Sequence, residues 1–324
     1  MQKDALFGYF CRCYTFQGLI EMGKVIKVKI PATTANMGPG FDCLGLCLDI
    51  WNSIEVEIGG SYFEILGEGE ESLPRGESNL IYQSFSRVFE ICGRPIPECG
   101  FVCHNSIPLN RGLGSSSAAI VGGLLAANEI CGSLLTQSQL LELAVEIEGH
   151  PDNVCAALMG GFQIIVENGG RWVNTAVSLP NDIAVILFIP DVSMNTQESR
   201  ETLPELITRR DAVYNLGRVA MLINSFSGKN LTHLEIATKD RLHQPLRQTY
   251  FPAMKNIFNA ALSVGALGVF LSGAGSTVLA LAKDKDREFT IGYEMADAAS
   301  KSGIEGSLRI TKPSSLGAHL LFNC

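Results

Sequence analysis

Residues 108–117 are Pro-Leu-Asn-Arg-Gly-Leu-Gly-Ser-Ser-Ser, and residues 118–128 continue as Ala-Ala-Ile-Val-Gly-Gly-Leu-Leu-Ala-Ala-Asn. A glycine-bearing turn can aim several backbone amides at one anion, and here it precedes three serines at a helix-capping position and an apolar helix. Free amides at a helix N-terminus attract phosphate groups. The stretch therefore predicts a phosphate-binding loop.

Two common glycine-rich loops are excluded by the spacing. A P-loop ends in Gly-Lys followed by Ser or Thr, which this stretch lacks. The dinucleotide-binding fingerprint needs a glycine three positions after Gly114, where the sequence has Ser117. We therefore expect a third kind of phosphate-binding loop.

Composition restricts the classes of protein and ligand. The length of 324 residues suggests about two domains, and 46% hydrophobic residues supply enough side chains for two cores. Only 18% of the residues are charged and the net charge is −8, so we expect no nucleic acid and no acidic membrane surface as a partner. A polyanionic ligand would be held locally, by backbone amides, a metal ion or a few cations.

The cysteines and the uncharged segments bear on location. The 10 cysteines lie in apolar contexts, and their closest pairs lack the spacing with histidines that zinc sites show. We predict reduced, mostly buried thiols in a cytoplasmic protein. Two uncharged runs, residues 112–128 and 259–282, have the length of a membrane span, but their Gly and Ser residues favour buried helices and loops.

The N-terminal part begins with a segment that carries no clear signal. Residues 1–21 lack the pattern of a signal peptide, and we interpret them as a disordered, dispensable extension before Met22. Hydrophobic residues then alternate from Ile26 to Ile30, which predicts a strand that ends at Pro31. Residues 32–42 are too rich in Gly and Pro for regular structure. Their polar side chains favour a turn that faces a ligand, although a plain tight turn also fits the composition.

A second polar cluster follows the helix after the loop. Thr136 and Gln139 form a capping box, which starts a helix that ends at Gly149. Glu148 lies in the last turn, where a carboxylate opposes the helix dipole; a Mg²⁺ ligand and an exposed surface residue are both open at this point. His150 precedes a proline, a position where histidine is more often a hydrogen-bonded turn residue than a catalyst.

Strands and helices alternate through the rest of the chain. We predict strands at residues 54–58, 101–107, 162–166, 183–189 and 319–322, helices at residues 79–92, 210–226, 231–237 and 287–302, and a glycine turn at 272–276. Hairpin-like turns join several strands, so an α+β fold is favoured over a doubly wound sheet. The segment Leu-Pro-Asn-Asp at 179–182 predicts a boundary between an N-terminal domain, residues 22–180, and a C-terminal domain, residues 181–324.

Three motifs stand in order: Pro-Ala-Thr-Thr-Ala-Asn-Met-Gly-Pro-Gly-Phe-Asp at residues 31–42, the phosphate loop, and Leu-Ser-Gly-Ala-Gly-Ser-Thr-Val at residues 271–278. Their order and spacing resemble the three motifs of the GHMP kinases, over nearly all of residues 24–324. Within that superfamily the first motif and the segments at 148–153, 196–204 and 243–247 resemble the homoserine kinase family. The resemblance implies an N-terminal ATP-binding domain of the ribosomal protein S5 type and a C-terminal ferredoxin-like domain.

The same resemblance implies an activity. The γ-phosphoryl group of ATP would be transferred, with Mg²⁺, to the side-chain hydroxyl of L-homoserine, which gives O-phospho-L-homoserine in threonine biosynthesis. The enzyme would be a phosphotransferase with an alcohol group as acceptor, and a homodimer is compatible with the sequence. Two alternatives stay open: another GHMP kinase that acts on mevalonate or a sugar, and a nucleotide-binding sensor without catalysis on the same fold.

The resemblance also implies roles for particular residues. Asn36 and Asp42 would hold the polar end of the substrate and serve in catalysis together with Glu148. Ser116 and Glu148 would bind Mg²⁺, although Ser117 is an alternative to Ser116. The other substrate-binding residues would be Thr196, Arg200, Arg247 and His150, and the nucleotide would be bound by Asn79, Pro108, Arg111, Gly112, Leu113, Gly114, Ser115, Ser116 and Ser117.

Two chemical arguments accompany these roles. The planar fork of an arginine matches the carboxylate of an amino acid, which supports Arg200 and Arg247 as its ligands, although composition alone would place either on the surface. No general base is evident, because Thr33 and Thr34 stand where mevalonate kinase and galactokinase relatives carry a lysine, and Asn153 stands at their aspartate position. We therefore predict phosphoryl transfer by alignment and charge neutralisation, without a dedicated base.

Overall fold

The computed structural model describes residues 22–194, 196–283 and 287–322. Its strands are β1 (Val25–Ala35), β2 (Leu44–Ile58), β3 (Phe63–Gly67), β4 (Cys99–Asn105), β5 (Phe162–Glu167), β6 (Trp172–Val177), β7 (Ala184–Pro190), β8 (Gly268–Leu271), β9 (Val278–Ala282), β10 (Gly306–Thr311) and β11 (His319–Leu321). Its α-helices are α1 (Leu80–Cys92), α2 (Ser115–Ile130), α3 (Gln137–Glu148), α4 (Asp152–Met159), α5 (Thr196–Glu201), α6 (Arg209–Ser227), α7 (Leu234–Ala237), α8 (Gln244–Tyr250), α9 (Met254–Ser263) and α10 (Glu288–Ser300). Residues 1–21, predicted as a disordered extension, lie outside the described residues.

The first sheet contains strands from both ends of the chain. Its central strand, β2, pairs antiparallel with β1, β4 and β5. Beyond these, β11 pairs with β1, β6 pairs with β5, and β3 pairs with β4 in parallel. Since β2 has 15 residues, its residues 44–46 can pair with β5 while residues 53–58 pair with β4. The long strand therefore connects the two arms of this sheet.

The first strand is longer than predicted. The predicted end at Pro31 was wrong, because β1 continues to Ala35, and the predicted irregular segment therefore begins only at Asn36. The register between β1 and β2 shifts between Pro31 and Ala32. A proline has no N–H to donate to the ladder, and an irregularity of this kind lets the strand continue past it.

The second sheet has the order β10-β7-β9-β8, with every pair antiparallel. β7 is buried along its whole length, and its side chains alternate between two cores. Val185, Leu187 and Ile189 belong to a core shared with the first sheet, whereas Ile186 and Phe188 belong to a core formed with α9 and α10. A strand covered on both faces gives an unbroken apolar run, as the sequence has here.

These two sheets confirm the predicted α+β class, because antiparallel pairs predominate and helices cover the sheets. The division at residue 180 stays a prediction. β11, which was assigned to the C-terminal domain, pairs with β1 in the first sheet. The core of the first sheet also continues into the second through Phe270 and Leu279. The two sheets are therefore joined by one hydrophobic core.

Capping residues set the ends of the helices near the loop. The Asn79 side chain accepts a hydrogen bond from the Ile81 amide at the start of α1. The predicted capping box of Thr136 and Gln139 is present at the start of α3. Gly149 ends α3 in the left-handed conformation that glycine adopts readily, so Glu148 is the last helical residue.

Two glycines of the phosphate loop allow backbone segments to approach closely. Gly112 and Gly114 have φ values of 73° and 72°. A Cβ atom on Gly112 would lie 2.0 Å from the carbonyl oxygen of Ser272, and one on Gly114 would lie 2.0 Å from Oγ1 of Thr33. Any side chain here would separate the loop from the other two motifs. The three motifs, which are distant in the sequence, therefore meet at this loop.

The segments that raised the question of a membrane span are accounted for by this fold. In the part of the chain that the structure describes, no helix has both the length and the hydrophobicity to cross a membrane.

The described cysteines are free thiols. Burial raises the pKa of Cys43 and of Cys99 to about 11, so these two thiols are protonated at neutral pH.

Candidate active site

A cavity of about 340 Å³ lies beside the N-terminus of α2, and the loop at residues 108–116 forms part of its lining. A second part, the apolar wall, consists of Ile54, Ile65, Leu73, Ile81 and Cys103. A third part, the polar wall, consists of Asn36, Glu148, His150, Asp152, Arg200 and Arg247. One cavity therefore joins the predicted phosphate loop to most of the predicted substrate residues.

The N-terminus of α2 presents its first amides without a side-chain cap. The N-cap residue is Gly114, in the left-handed conformation, and the intrahelical hydrogen bonds begin with the Ala118 amide, which donates to the Gly114 carbonyl. The serines were predicted at a capping position, but two of their hydroxyls donate elsewhere. The amides of the first turn have no partner within the helix, which is the arrangement that binds phosphate.

Glu148 accepts hydrogen bonds from both later serines of the loop. Ser116 Oγ donates to Glu148 Oε2 at 2.7 Å, and Ser117 Oγ donates to Oε1 at 2.8 Å. Ser116 is exposed and lines the cavity, whereas Ser117 is fully buried. The Glu148 side chain is only 7% exposed, which excludes the surface alternative. These hard oxygen donors suit Mg²⁺, which binds few protein oxygens and completes its shell with phosphate and water.

His150 lies between two carboxylates. Its Nδ1 is 3.0 Å from Asp152 Oδ1, and its Nε2 is 3.7 Å from Glu148 Oε1. Burial lowers its pKa, but the hydrogen bond that the ring donates to Asp152 and the charges of both carboxylates outweigh burial, and the pKa of His150 is raised. Asp152 also accepts a hydrogen bond from the Asn153 amide at 2.8 Å. His150 therefore lies between Glu148 and the start of α4.

Asp42 and Arg200 form a bidentate ion pair. Arg200 Nη1 donates to Asp42 Oδ2 at 2.8 Å, and Nη2 donates to Oδ1. Burial lowers the pKa of Arg200, but the hydrogen bond and charge of Asp42 outweigh it and raise that pKa. Asn36 supports the carboxylate residue, because its Oδ1 accepts from the Asp42 amide at 3.0 Å. Both Asn36 and Asp42 have left-handed backbones, which are costly and concentrate at functional sites.

Arg247 is 2% exposed, although it lines the cavity. Its Nε donates to Ser199 Oγ at 2.9 Å, and its Nη1 lies 2.7 Å from the Gly273 carbonyl oxygen and 2.8 Å from His243 Nδ1. Burial, followed by the nearby charge of Arg200, lowers its pKa to about 10. The guanidinium therefore stays charged at neutral pH and faces a cavity that also contains Arg200.

Two predicted nucleotide residues also hold the local structure together, and a third predicted residue is not described. The Arg111 guanidinium donates to the carbonyl oxygens of Pro190 and Asp191 at 2.7 and 2.6 Å, which fastens the loop to the end of β7. Asn79 lines the cavity, but its amide donates to the Pro74 carbonyl oxygen while its oxygen caps α1. The side chain of Thr196 lies outside the described residues. Every predicted nucleotide residue except buried Ser117 lines the cavity: Asn79, Pro108, Arg111, Gly112, Leu113, Gly114, Ser115 and Ser116.

The residues behind the polar wall were not predicted from the sequence. Ser199 and His243 contact Arg247, and Phe41 lies with its ring centroid 5.3 Å from the Arg200 guanidinium and 5.7 Å from that of Arg247. Each stands next to a residue that was predicted or within a quoted motif. Adjacency to a predicted ligand was therefore the available signal, but it does not indicate which neighbour points inward.

Two family models and several curated relatives match this chain. The family model described as GHMP kinases N terminal domain matches residues 79–161, and the one described as GHMP kinases C terminal matches residues 227–301. The homoserine kinase of Desulfitobacterium hafniense is 39% identical over 92% of this chain and 100% of its own length. That of Synechocystis is 40% identical over 86% of this chain and 92% of its own length.

Solved structures show the same relationship. The crystal structure of homoserine kinase from Cytophaga hutchinsonii superposes with a TM-score of 0.83 at 28% identity, covering 94% of this chain and 99% of that one. A phosphomevalonate kinase from Streptococcus pneumoniae, at 14% identity and a TM-score of 0.63, shows the shared fold alone. The fold is that of a GHMP kinase, as predicted. Within that superfamily, the chain belongs to the homoserine kinase family.

The buried His243 predicts a loss of stability in mild acid. Burial is the largest effect on this ring and lowers its pKa from 6.5 to about 4. Between these values the unfolded chain binds a proton that the folded chain does not. This group's contribution is therefore complete above pH 6.5 and declines as the pH falls, by up to about 1.4 kcal/mol per pH unit.

Urea unfolding between about pH 7 and pH 5 measures this effect. We expect His243→Asn, which has no titrating ring, to lose less unfolding free energy over that interval than the wild type. Other titrating groups are common to both proteins and cancel in the difference. Parallel curves for the two proteins would show that His243 does not resist protonation.

Proposed function

We propose that the protein transfers the γ-phosphoryl group of ATP to the side-chain hydroxyl of L-homoserine and so forms O-phospho-L-homoserine for threonine biosynthesis. The observation that carries this proposal is the Asp42–Arg200 ion pair, whose Arg200 lines the same cavity as the phosphate loop. An amino acid carries an ammonium and a carboxylate. The two charges of the substrate can replace the contacts within the ion pair, because its ammonium can bind Asp42 and its carboxylate can bind Arg200.

Two further features support a carboxylate ligand beside the ion pair. Arg200 Nε is a buried donor that has no hydrogen-bond partner among the described residues, which is a feature that calls for an explanation. Arg247, which is buried, brings a second cation to the same wall. Two guanidinium groups repel each other, and an anionic substrate group relieves that repulsion. The polar wall therefore favours an amino acid over a neutral sugar, and Asp42 favours it over mevalonate, which has no ammonium.

The nucleotide would occupy the rest of the cavity. The first amides of α2 would bind the phosphates, and the apolar wall offers a dry surface to the base. Glu148 and Ser116 would hold Mg²⁺, which supplies charge neutralisation for the transferred phosphoryl group. The buried hydroxyl of Ser117 would orient Glu148 instead of contacting the ion.

Proton removal from the substrate hydroxyl is proposed to need no dedicated base. Asp152 is 2% exposed, and its Oδ1 accepts from the Asn153 amide and contacts His150. The Asp152 carboxylate therefore contacts the start of α4 and the ring of His150. The hydroxyl proton would pass to the transferred phosphate, with Asn36 and Asp42 orienting the nucleophile.

The predicted cytoplasmic location and the homodimer stay predictions.

Substrate choice is tested by ADP release with L-homoserine, L-serine, L-threonine, mevalonate and galactose. We expect turnover with L-homoserine to exceed that with the other four. Arg200→Leu should raise the KM for L-homoserine about 30-fold or more, because the carboxylate of the bound substrate loses its partner. The KM for ATP should stay unchanged. Arg171→Leu, at an exposed arginine outside the cavity lining, is the matched control. Equal turnover of galactose and L-homoserine would reject the assignment.

The role of Glu148 is tested by titrating Mg²⁺ at saturating ATP and acceptor. Glu148→Gln should raise the half-saturating Mg²⁺ concentration about tenfold or more, because a neutral amide is a poor ligand for a hard cation. Glu146→Gln is the control, since Glu146 lies on the same helix but its side chain is 61% exposed and pairs with Arg87. The same Mg²⁺ dependence in both variants would contradict the proposed metal site.

Asp152→Asn tests the mechanism without a base. If Asp152 only orients its neighbours, kcat should fall by less than about tenfold, because removal of a true general base costs about 10² to 10⁴. Steady-state kcat at saturating ATP and L-homoserine is the measurement. A fall of about a thousandfold with unchanged KM values would identify Asp152 as the base.

A further inference from the structure

Arg247 is held by a network that lies behind the polar wall. Its guanidinium uses Nε for Ser199 Oγ and Nη1 for the Gly273 carbonyl oxygen and His243 Nδ1. Ser199 is 7% exposed and His243 is fully buried. None of these partners is an acid, so the network orients the guanidinium without cancelling its charge. The charge therefore remains available to the cavity.

The hydrogen bonds of His243 define its tautomer. A guanidinium can only donate, so His243 Nδ1 accepts from Arg247 and carries no proton. The ring's Nε2 lies 2.7 Å from the Gly38 carbonyl oxygen, which can only accept, so Nε2 carries the proton. One neutral ring therefore connects Arg247 to the turn that bears Asp42.

Asp240 fixes the position of that ring. Its Oδ2 accepts from the amides of His243 and Gln244 at 2.9 and 2.7 Å, at the start of α8. Its Oδ1 accepts from Asn215 Nδ2 at 2.6 Å, and Asn215 Nδ2 also lies 3.0 Å from the Pro39 carbonyl oxygen. Asp240 therefore reaches the same turn by two routes, through His243 to Gly38 and through Asn215 to Pro39.

We propose that Asp240, His243 and Ser199 are positioning residues that set the affinity of the site for its acceptor by holding the Arg247 guanidinium in the binding arrangement. The proposal rests on the proposed function, because it takes Arg247 as a ligand of the substrate carboxylate. A free arginine side chain loses rotamer entropy when it binds, and a side chain that is already ordered avoids that loss. Weakening the network should therefore weaken acceptor binding before it affects the nucleotide.

Two replacements of His243 separate its two contacts. An asparagine places its amide where Nδ1 was, so His243→Asn can still accept from Arg247. A glutamine places its amide where Nε2 was, so His243→Gln can still contact Gly38 but leaves Arg247 without this acceptor. We expect His243→Gln to raise the KM for L-homoserine about tenfold, and His243→Asn to raise it less than about threefold. The KM for ATP should change less than about twofold in both variants.

Ser199→Ala is a milder variant that decides the proposal if His243→Gln does not fold. It removes the acceptor of Arg247 Nε and should raise the KM for L-homoserine about three- to tenfold at an unchanged KM for ATP. Asp211→Asn, in an exposed pair with Arg241, is the control and should leave both KM values unchanged. Equal effects of the two His243 replacements, an unchanged KM for L-homoserine in Ser199→Ala, or a parallel rise in the KM for ATP would each overturn the proposal.

A readout without substrate distinguishes this proposal from the proposed function. If the wild type releases no ADP with L-homoserine, the proposed function fails. Hydrogen exchange of the Arg247 Nε–H, followed by NMR, then decides the positioning role. We expect slow exchange in the wild type and in His243→Asn, and faster exchange in His243→Gln. Unchanged exchange in His243→Gln would overturn the positioning role regardless of the substrate.

Discussion

The carbonyl oxygen of Gly273 accepts hydrogen bonds from two side chains that come from opposite parts of the chain. Asn36 Nδ2 donates to it at 3.1 Å from the end of β1, and Arg247 Nη1 donates at 2.7 Å from α8. The same turn contacts Gly112, where no Cβ would fit. The turn around Gly273 therefore brings together the segments of Asn36 and Arg247 and the loop at residues 108–116, and all three line the cavity.

The site uses few charged side chains, in keeping with the composition of the chain. A protein with a net charge of −8 places two arginines on one cavity wall, and burial makes each of them costly unless it is paired or hydrogen-bonded. Arg200 is paired with Asp42, whereas Arg247 has only neutral hydrogen-bond partners. These charges are the basis of the proposal that the acceptor carries one carboxylate and one ammonium. The same wall would bind a neutral sugar without using either charge.

Much of the fold and part of the site could be predicted from local patterns. The alternation at Ile26 to Ile30, the capping box at Thr136 and the apolar run in β7 act over a few residues, and each was found where predicted. The strand past Pro31 was not predicted, because it is held by pairing with β2 across a register shift that local composition does not show. From the sequence alone, Glu148 could have been an exposed surface residue or a residue of the site. Its hydrogen bonds with Ser116 and Ser117 place it beside the loop.

The sequence by itself determined the three motifs, the phosphate loop at the start of α2 and, through resemblance, the family. These depend on residue type and short spacing, such as a left-handed turn that needs glycine and a helix start that exposes amides. Only the tertiary structure decided that Ser116 faces the cavity while Ser117 is buried, that Asp42 pairs with Arg200, and that His243 holds Arg247. The physical reason is that a hydrogen bond depends on distance and direction in space, and residues far apart in the chain acquire both only when the sheets and helices have packed.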